Sequence, residues 1–80
     1  MRIDLLFFAH SAGWMGKQRL TLDTSAASLT LKELLEDPRL RPIKSRAASL
    51  RFAINEDFAR ADHALSDGDE VAILPPVSGG

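Results

Sequence analysis

The expected fold is organised around one stretch near the end of the chain, Asp67-Gly68-Asp69-Glu70-Val71-Ala72-Ile73-Leu74. Aspartate and glycine are typical turn residues, and the apolar residues that follow them alternate as a β-strand requires. Val71 and Ile73 fall on one face of the predicted strand, and Ala72 and Leu74 fall on the other. The stretch therefore predicts a turn followed by an ordered strand from Glu70 to Leu74.

This strand runs directly into a segment of different character, Pro75-Pro76-Val77-Ser78-Gly79-Gly80. The prolines have a fixed φ and no N–H, so they favour an extended segment that leaves the folded body. Glycine has no Cβ, so the last two residues form a thin main chain that fits a narrow channel in a partner. The alternative is an ordinary frayed terminus. We predict a folded domain over 1–74 and a flexible tail over 75–80.

The composition limits the classes of function. Eighty residues form one domain with a small core. The absence of cysteine excludes a thiolate, a Cys-based metal site and a disulfide scaffold. The 10 basic and 11 acidic residues leave a net charge of −1, which favours neither nucleic acid nor an anionic membrane as a partner. The first apolar run, Leu5 to Ala9, is too short for a signal core or membrane span, so we expect a soluble, cytoplasmic protein.

The first half of the chain predicts two strands. Met1 to Ala9 forms a strand with Ile3, Leu5 and Phe7 on one face. The other face is also apolar at Leu6 and Phe8, so it is either covered or meets a partner. His10 to Gly16 is predicted to be a loop, in which His10 is either a catalytic base or, as is commoner, a solvated side chain. Lys17 to Asp23 forms a second strand, antiparallel to the first.

A helix is predicted next. Thr30 and Glu33 have the spacing of a capping box, and Leu31, Leu34 and Leu35 follow at helical spacing. The helix ends or bends near Asp37-Pro38, and Asp37 is also suited to cap a further turn with Pro38 at its first position. The structure of Pro38 to Ser49 and the roles of Trp14 and the basic residues from Arg39 to Arg46 stay open, although a solvated face is favoured over a phosphate or RNA site.

The remaining segment predicts short strands around a small core. Leu50 to Asn55 forms a strand, Asn55 to Asp57 a turn and Phe58 to Arg60 a short returning strand, and Leu65 contributes to the core. The whole is an α+β fold, a mixed sheet of four to five strands with one main helix packed on one face. If the first and last strands are neighbours, Leu6, Phe8 and Leu74 share the other face, with Phe58 at its rim. The apolar patch is predicted to contact a partner.

This order of elements resembles the β-grasp (ubiquitin-like) fold. More narrowly, the chain is similar to the small subunit of molybdopterin synthase, the MoaD-type sulfur carriers, over nearly its whole length. The residues that carry the resemblance are Leu6-Phe7-Phe8-Ala9, Ile54-Asn55, Leu65 to Ala72 and Pro75 to Gly80. The chain departs from the family at Ser11-Ala12-Gly13-Trp14, where an Arg-Glu pair is frequent, and this affects the details of partner contacts.

The resemblance implies a carrier whose catalytic steps occur on other proteins. An activating enzyme of the ubiquitin-activating type adenylates the Gly80 carboxylate with ATP, and a persulfide donor protein converts it to a thiocarboxylate. The tail then enters the large subunit and gives sulfur to a pterin precursor. Gly79 keeps the approach unhindered, while Phe8, Phe58, Leu74 and Pro75-Pro76-Val77-Ser78 contact partners. The resemblance implies no cofactor or metal bound by this chain.

Three alternatives stay open. A thiamin-type sulfur carrier has the same fold and also ends in Gly-Gly, but Pro-Pro-Val-Ser before the glycines favours the molybdopterin type. A carrier for another sulfur pathway, or one conjugated to lysines, also fits. The third alternative is a binding module with an inert tail. A small independent enzyme is disfavoured, because the sequence lacks a His–carboxylate pairing, a phosphate loop and metal-ligand spacing.

Overall fold

The computed structural model describes residues 1–74. Three α-helices are α1, α2 and α3, at His10–Met15, Leu31–Leu34 and Arg41–Lys44. Two 3₁₀ turns lie at Pro38–Leu40 and Ala47–Ser49. The strands β1 to β7 are Arg2–Phe7, Arg19–Asp23, Leu29–Thr30, Arg51–Ile54, Asp57–Phe58, Ala64–Leu65 and Glu70–Leu74. No helix in this part of the chain is long and apolar enough to cross a membrane.

Five strands form one mixed sheet in the order β2-β1-β7-β4-β5. The first and last strands pair in parallel, with Leu5 beside Val71 and Phe7 beside Ile73, and the other neighbours are antiparallel. The predicted mixed α+β sheet is confirmed. Its first and last strands are neighbours, which is the condition on which the shared apolar face depended. A second sheet of β3 and β6, in which Leu29 pairs with Leu65, was not predicted.

One face of the five-stranded sheet forms the core. Alternate residues of the central strands point into it, and the helices and 3₁₀ turns cover them. The buried side chains from the sheet are Ile3, Leu5, Phe7, Leu22, Phe52, Ile54, Val71 and Ile73, and those from the covering layer are Leu31, Leu34, Leu35, Leu40, Ile43 and Leu65. The prediction that Leu65 belongs to the core is confirmed.

The capping interactions of the covering layer follow the sequence pattern. The Thr30 hydroxyl accepts a hydrogen bond from the Glu33 amide, and the Glu33 carboxylate accepts one from the Thr30 amide. Asp37 caps the next turn by accepting from the Arg39 amide, with Pro38 at its first position. Since the chain bends at Asp37 and again before α3, the layer consists of several short turns where the pattern predicts one main helix.

The predicted loop from His10 to Gly16 is wrong, because this segment forms α1. The backbone reverses at Ala9, whose φ is 52°, and the helix ends at Gly16, whose φ is 71°. A residue with positive φ after a helix is a common terminator, and glycine adopts it without strain. The helix was missed because it has no side-chain cap and carries Gly13 in its interior.

The Asp-Gly-Asp turn binds the start of β7 to its neighbours. The Asp67 carboxylate accepts from the Arg2 amide at 2.6 Å, and Gly68, with φ 86°, donates to the Arg2 carbonyl. The Asp69 carboxylate accepts from the Ser66 amide and from the Asn55 side-chain amide, both at 2.8 Å. These bonds fix β7 between β1 and β4.

Candidate functional site

The second face of the sheet, which we call the outer face, carries an apolar row across its middle. Leu6 lies beside Ala72, and Ala53 lies between Ala72 and Phe58. Residues directly opposite in a sheet ladder point to the same side, so these four side chains share the outer face. Phe58 is on the edge strand and is 68% exposed. The predicted place of Phe58 at the rim is confirmed.

A second apolar row lies at the end of β7. The Phe8 amide donates to the Ile73 carbonyl at 3.2 Å, which extends the β1–β7 pairing one residue beyond Phe7. Phe8 therefore lies next to Leu74 and is 45% exposed. Phe8 and Phe58 are the exposed large hydrophobic residues within residues 1–74. The structure thus brings Leu6, Phe8, Leu74 and Phe58 to one face, as predicted for neighbouring strands.

Two arginines border these apolar rows. Arg51 lies opposite Leu74 in the ladder, and Arg19 lies opposite Leu6. The Arg51 guanidinium carbon is 5.6 Å from the centre of the Phe58 ring, within the range of a cation–π contact. The sequence pattern places Arg19 on the polar side of its strand but does not show what it lies beside. The register supplies that information, because it brings together residues far apart in the chain.

A buried serine holds the end of this face in place. The Ser11 hydroxyl donates to the Phe8 carbonyl at 2.6 Å and lies 3.3 Å from the Ile73 carbonyl. Ser11 is 2% exposed and is the buried polar side chain among residues 1–74. It links α1 to the ends of β1 and β7. Sequence reasoning missed this role, because a serine in a presumed loop gives no signal of burial.

The other polar residues singled out in the sequence are engaged in local contacts. His10 is exposed and stacks on Trp14 with ring centres 6.4 Å apart, and the Arg46 guanidinium lies 4.4 Å above the Trp14 ring. Arg39 pairs with Asp37, and Lys44 pairs with Glu36. The hydrogen bond from Arg39 lowers the pKa of the Asp37 carboxyl, and the same bond raises the pKa of Arg39. These contacts favour a solvated face over a phosphate or RNA site for the basic residues from Arg39 to Arg46.

The predicted tail residues Pro75, Pro76, Val77, Ser78, Gly79 and Gly80 lie outside the described residues, so their assigned roles stay predictions. Their covalent attachment point, Leu74, lies on the outer face beside Phe8. In the part of the chain that the structure describes, no group of three or more His, Cys, Asp or Glu side chains is placed to hold a metal.

Comparison with known proteins identifies relatives over the full length of the chain. The model of the ThiS family matches residues 5–80. The chain is 36% identical over 83 residues to the molybdopterin synthase sulfur carrier subunit of Chlamydomonas reinhardtii, with 100% of each sequence covered.

Solved structures agree on the fold. The crystal structure of SAMP1 from Haloferax volcanii superposes with a TM-score of 0.85 at 24% identity and 100% coverage of both chains. A chain from the complex of subunits 1 and 2 of the molybdopterin-converting factor from Helicobacter pylori superposes with a TM-score of 0.66 at 25% identity, again with 100% of both chains covered. The β-grasp fold expected from the sequence is confirmed.

Proposed function

The chain belongs to the ThiS family, and from this premise we propose that it is the sulfur carrier subunit of a molybdopterin synthase. The 36% identity to a molybdopterin synthase sulfur carrier subunit across the full length of both chains carries the proposal. The outer face supports it, because Phe8 is exposed beside Leu74, where the chain continues toward Gly80, and Phe58 is exposed on the same face.

The proposed chemistry begins at the Gly80 carboxylate. A carboxylate is a poor acyl donor, so an adenylyltransferase first joins it to the α-phosphate of ATP with release of pyrophosphate. The outer sulfur of a donor protein's persulfide then attacks the acyl carbon, and AMP leaves. A thiol cleaves the resulting acyl disulfide, which leaves a thiocarboxylate on Gly80. ATP belongs to the activating enzyme, and the proposal assigns no resident cofactor to this chain.

The second half of the cycle takes place in the large subunit. The thiocarboxylate sulfur attacks a carbon of the pterin precursor, so that a C–S bond forms as a C–O bond of that carbon breaks and the oxygen leaves. Water then hydrolyses the thioester, which leaves the sulfur on the pterin and returns the Gly80 carboxylate. Tethering the sulfur on residues 75–80 raises its effective concentration at the acceptor, which is the physical advantage of a carrier. The acid–base groups belong to the large subunit, so this chain contributes the carried atom and the surface that positions it. We place the cycle in the cytoplasm, where ATP is available.

The outer face is proposed to dock both partners in turn. Phe8, Phe58 and Leu74 would be buried against the adenylyltransferase first and the large subunit later, while Pro75-Pro76-Val77-Ser78 lines the entry to each active site. Exposed aromatic side chains are typical anchors of such interfaces. Gly79 is proposed to pass the narrowest part of the channel, so a β-branched residue there should block entry.

The test is an intact mass measurement. The chain is co-expressed with its candidate adenylyltransferase and persulfide donor, and the proposal expects the mass change of one oxygen replaced by sulfur. A variant lacking Gly80 is the matched control and should not acquire sulfur. An active enzyme set that leaves the full-length chain unchanged would contradict the carrier function.

A thiamin-type carrier is the second candidate, because the matching family model bears the ThiS description. The two candidates differ in the acceptor. The thiocarboxylated chain should be supplied separately to a molybdopterin synthase large subunit with the pterin precursor and to a thiazole synthase with its substrates. Product formation in the first reaction alone supports the proposal, and product formation in the second alone supports the thiamin-type carrier.

A further inference from the structure

The outer face has opposite charges at its two ends. Two arginines border the apolar rows. Arg19 lies opposite Leu6, at the same height in the sheet as Ala72, and Arg51 lies opposite Leu74, nearer the end of β7. At the other end, Asp4 lies beside Glu70, and the Asp4 carboxylate accepts a hydrogen bond from the Thr21 hydroxyl at 2.9 Å. Arg2, which is two residues before Asp4 and opposite Asp23, lies at this same end. The face is therefore basic and apolar where the chain leaves β7, whereas the end where β7 begins carries both signs of charge, with carboxylates in excess.

The two arginines have no carboxylate partner among residues 1–74. The ion pairs in this part of the chain join Arg39 to Asp37 and Lys44 to Glu36. Arg51 instead lies over the Phe58 ring, which holds its guanidinium close to the apolar surface. Arg19 and Arg51 are both exposed, so water satisfies their donors in the free chain.

This arrangement constrains any protein that covers the outer face. Burying Phe58 and Leu74 also removes water from Arg51, because Arg51 touches the first and lies opposite the second. An arginine that loses its water without gaining an acceptor is strongly destabilising. A carboxylate satisfies it best, since two parallel hydrogen bonds match the planar guanidinium fork. A carboxylate opposite Arg51 is therefore the acceptor that a covering surface supplies most favourably.

We propose that Arg51, with Arg19, is a specificity determinant that selects a partner surface with an apolar centre and a carboxylate at its rim. The proposed occupant is the large subunit, so this inference rests on the proposed function. The acidic end at Asp4 and Glu70 repels the same carboxylate, so the charge pattern also sets the direction in which the partner lies along β7. The partner's active site is thereby placed at the end of the strand from which residues 75–80 continue.

The experiment measures the affinity of the recombinant large subunit from the same genome for the full-length chain at several salt concentrations. Arg51→Gln is compared with Arg41→Gln, which makes the same change in net charge on α3, in the helical layer that covers the opposite face of the sheet. We expect Arg51→Gln to weaken binding at least about tenfold and to reduce its salt dependence. Arg51→Glu should weaken it further, Arg51→Lys less, and Arg41→Gln should change little.

Several outcomes would overturn the inference, and they separate it from the proposed function. If wild type binds and the two glutamine variants bind equally well, Arg51 is no determinant, although the carrier function stands. If wild type neither binds the large subunit nor transfers sulfur, both proposals fail. If Arg51→Gln alters only self-association of the chain in sedimentation velocity, the face is an interface between copies. Thermal unfolding of each variant checks that the fold is intact.

Discussion

The two faces of the five-stranded sheet differ although they are built from the same strands. Along β7, Val71 and Ile73 are 1% and 0% exposed, whereas Ala72 and Leu74 between and after them are only partly buried. The inner face is closed by the short helices and 3₁₀ turns, and the outer face has no covering layer among residues 1–74. Residues that alternate along each strand therefore differ in their surroundings. The inner set forms the core, and the outer set is the one that we propose contacts other proteins.

The difference between the two faces indicates which apolar side chains are available for binding. Phe8 and Phe58 are 45% and 68% exposed, so burial of their rings contributes less to folding than burial of the core side chains does. Large exposed apolar groups that cluster on one face are typical of interaction sites. Stability and binding should consequently respond to separate sets of substitutions, and the following experiments test that separation.

The largest effect is expected from the inner face. Ile73→Ala leaves a cavity at a fully buried position between β1 and β4, so it should lower the free energy of unfolding by about 2–5 kcal/mol. Urea denaturation measures this, with Leu74→Ala as the neighbouring control on the outer face. Equal destabilisation by the two substitutions would show that the faces are not separate in function.

The outer face should respond in binding. Leu74→Asp places a charge in the patch beside Phe8, and Phe8→Ala removes an exposed ring, so each should weaken large-subunit binding by about 2 kcal/mol or more. The fold should persist, because both side chains are partly or largely accessible. Isothermal titration calorimetry measures the affinity, and circular dichroism measures the fold. Unchanged affinity in both variants would remove the outer face as the docking surface.

The polar start of β7 should affect stability alone. Asp69→Ala removes the acceptors of the Asn55 side chain and the Ser66 amide, which should cost about 1–2 kcal/mol of unfolding free energy. Large-subunit affinity should stay the same, since these bonds lie at the end of β7 away from Leu74. Chemical denaturation and the binding assay are compared with Asp62→Ala, an exposed aspartate in a turn. Weaker binding by Asp69→Ala would extend the docking surface to this end.

The smallest effect concerns the charge of Asp37 in the covering layer. The hydrogen bond from Arg39 lowers the pKa of the Asp37 carboxyl in the folded state. The ionised carboxylate therefore contributes its full stabilisation when the pH is above the pKa of Asp37 in the unfolded chain. This stabilisation is lost as the pH falls through the pKa of Asp37 in the folded chain. Asp37→Asn should cost a few tenths of a kcal/mol at pH 7, as exposed ion pairs do.

That cost should shrink below pH 4 or so, as the carboxyl becomes protonated in both states. Thermal unfolding of both proteins across this pH range measures the difference. A difference that stays constant down to the lowest pH would show that the charge of Asp37 is not its source.

Much of the fold could be predicted because its signals are local. The alternation in Glu70–Leu74, the capping box at Thr30 and Glu33, and the cap at Asp37 all depend on residues within a few positions of one another. The helix α1 was not predicted, because it is held by Ser11 reaching the carbonyls of Phe8 and Ile73. The second of these contacts spans 62 positions in sequence, which no local pattern contains.

The candidate site divides in the same way. The sequence and its family resemblance predicted Phe8, Phe58 and Leu74 as contact residues, and Gly79 and Gly80 as the carrier end. The roles of both sets stay predictions. Which residues border the apolar patch was not predictable, because Arg19 and Arg51 belong to different strands. Only the register, which pairs Arg19 with Leu6 and Arg51 with Leu74, shows that they frame one surface.

The sequence by itself determined the strand periodicity, the caps and the apolar residues available on each side of every strand, since these follow from backbone geometry over short distances. The tertiary structure decided which strands are neighbours, which face the helical layer covers and which charges surround the face left open. The reason is that strand pairing joins segments that are distant in sequence, as the parallel pairing of β1 with β7 does. The alternation of apolar residues shows which side chains share a face of one strand, but it does not show which other strand lies beside it.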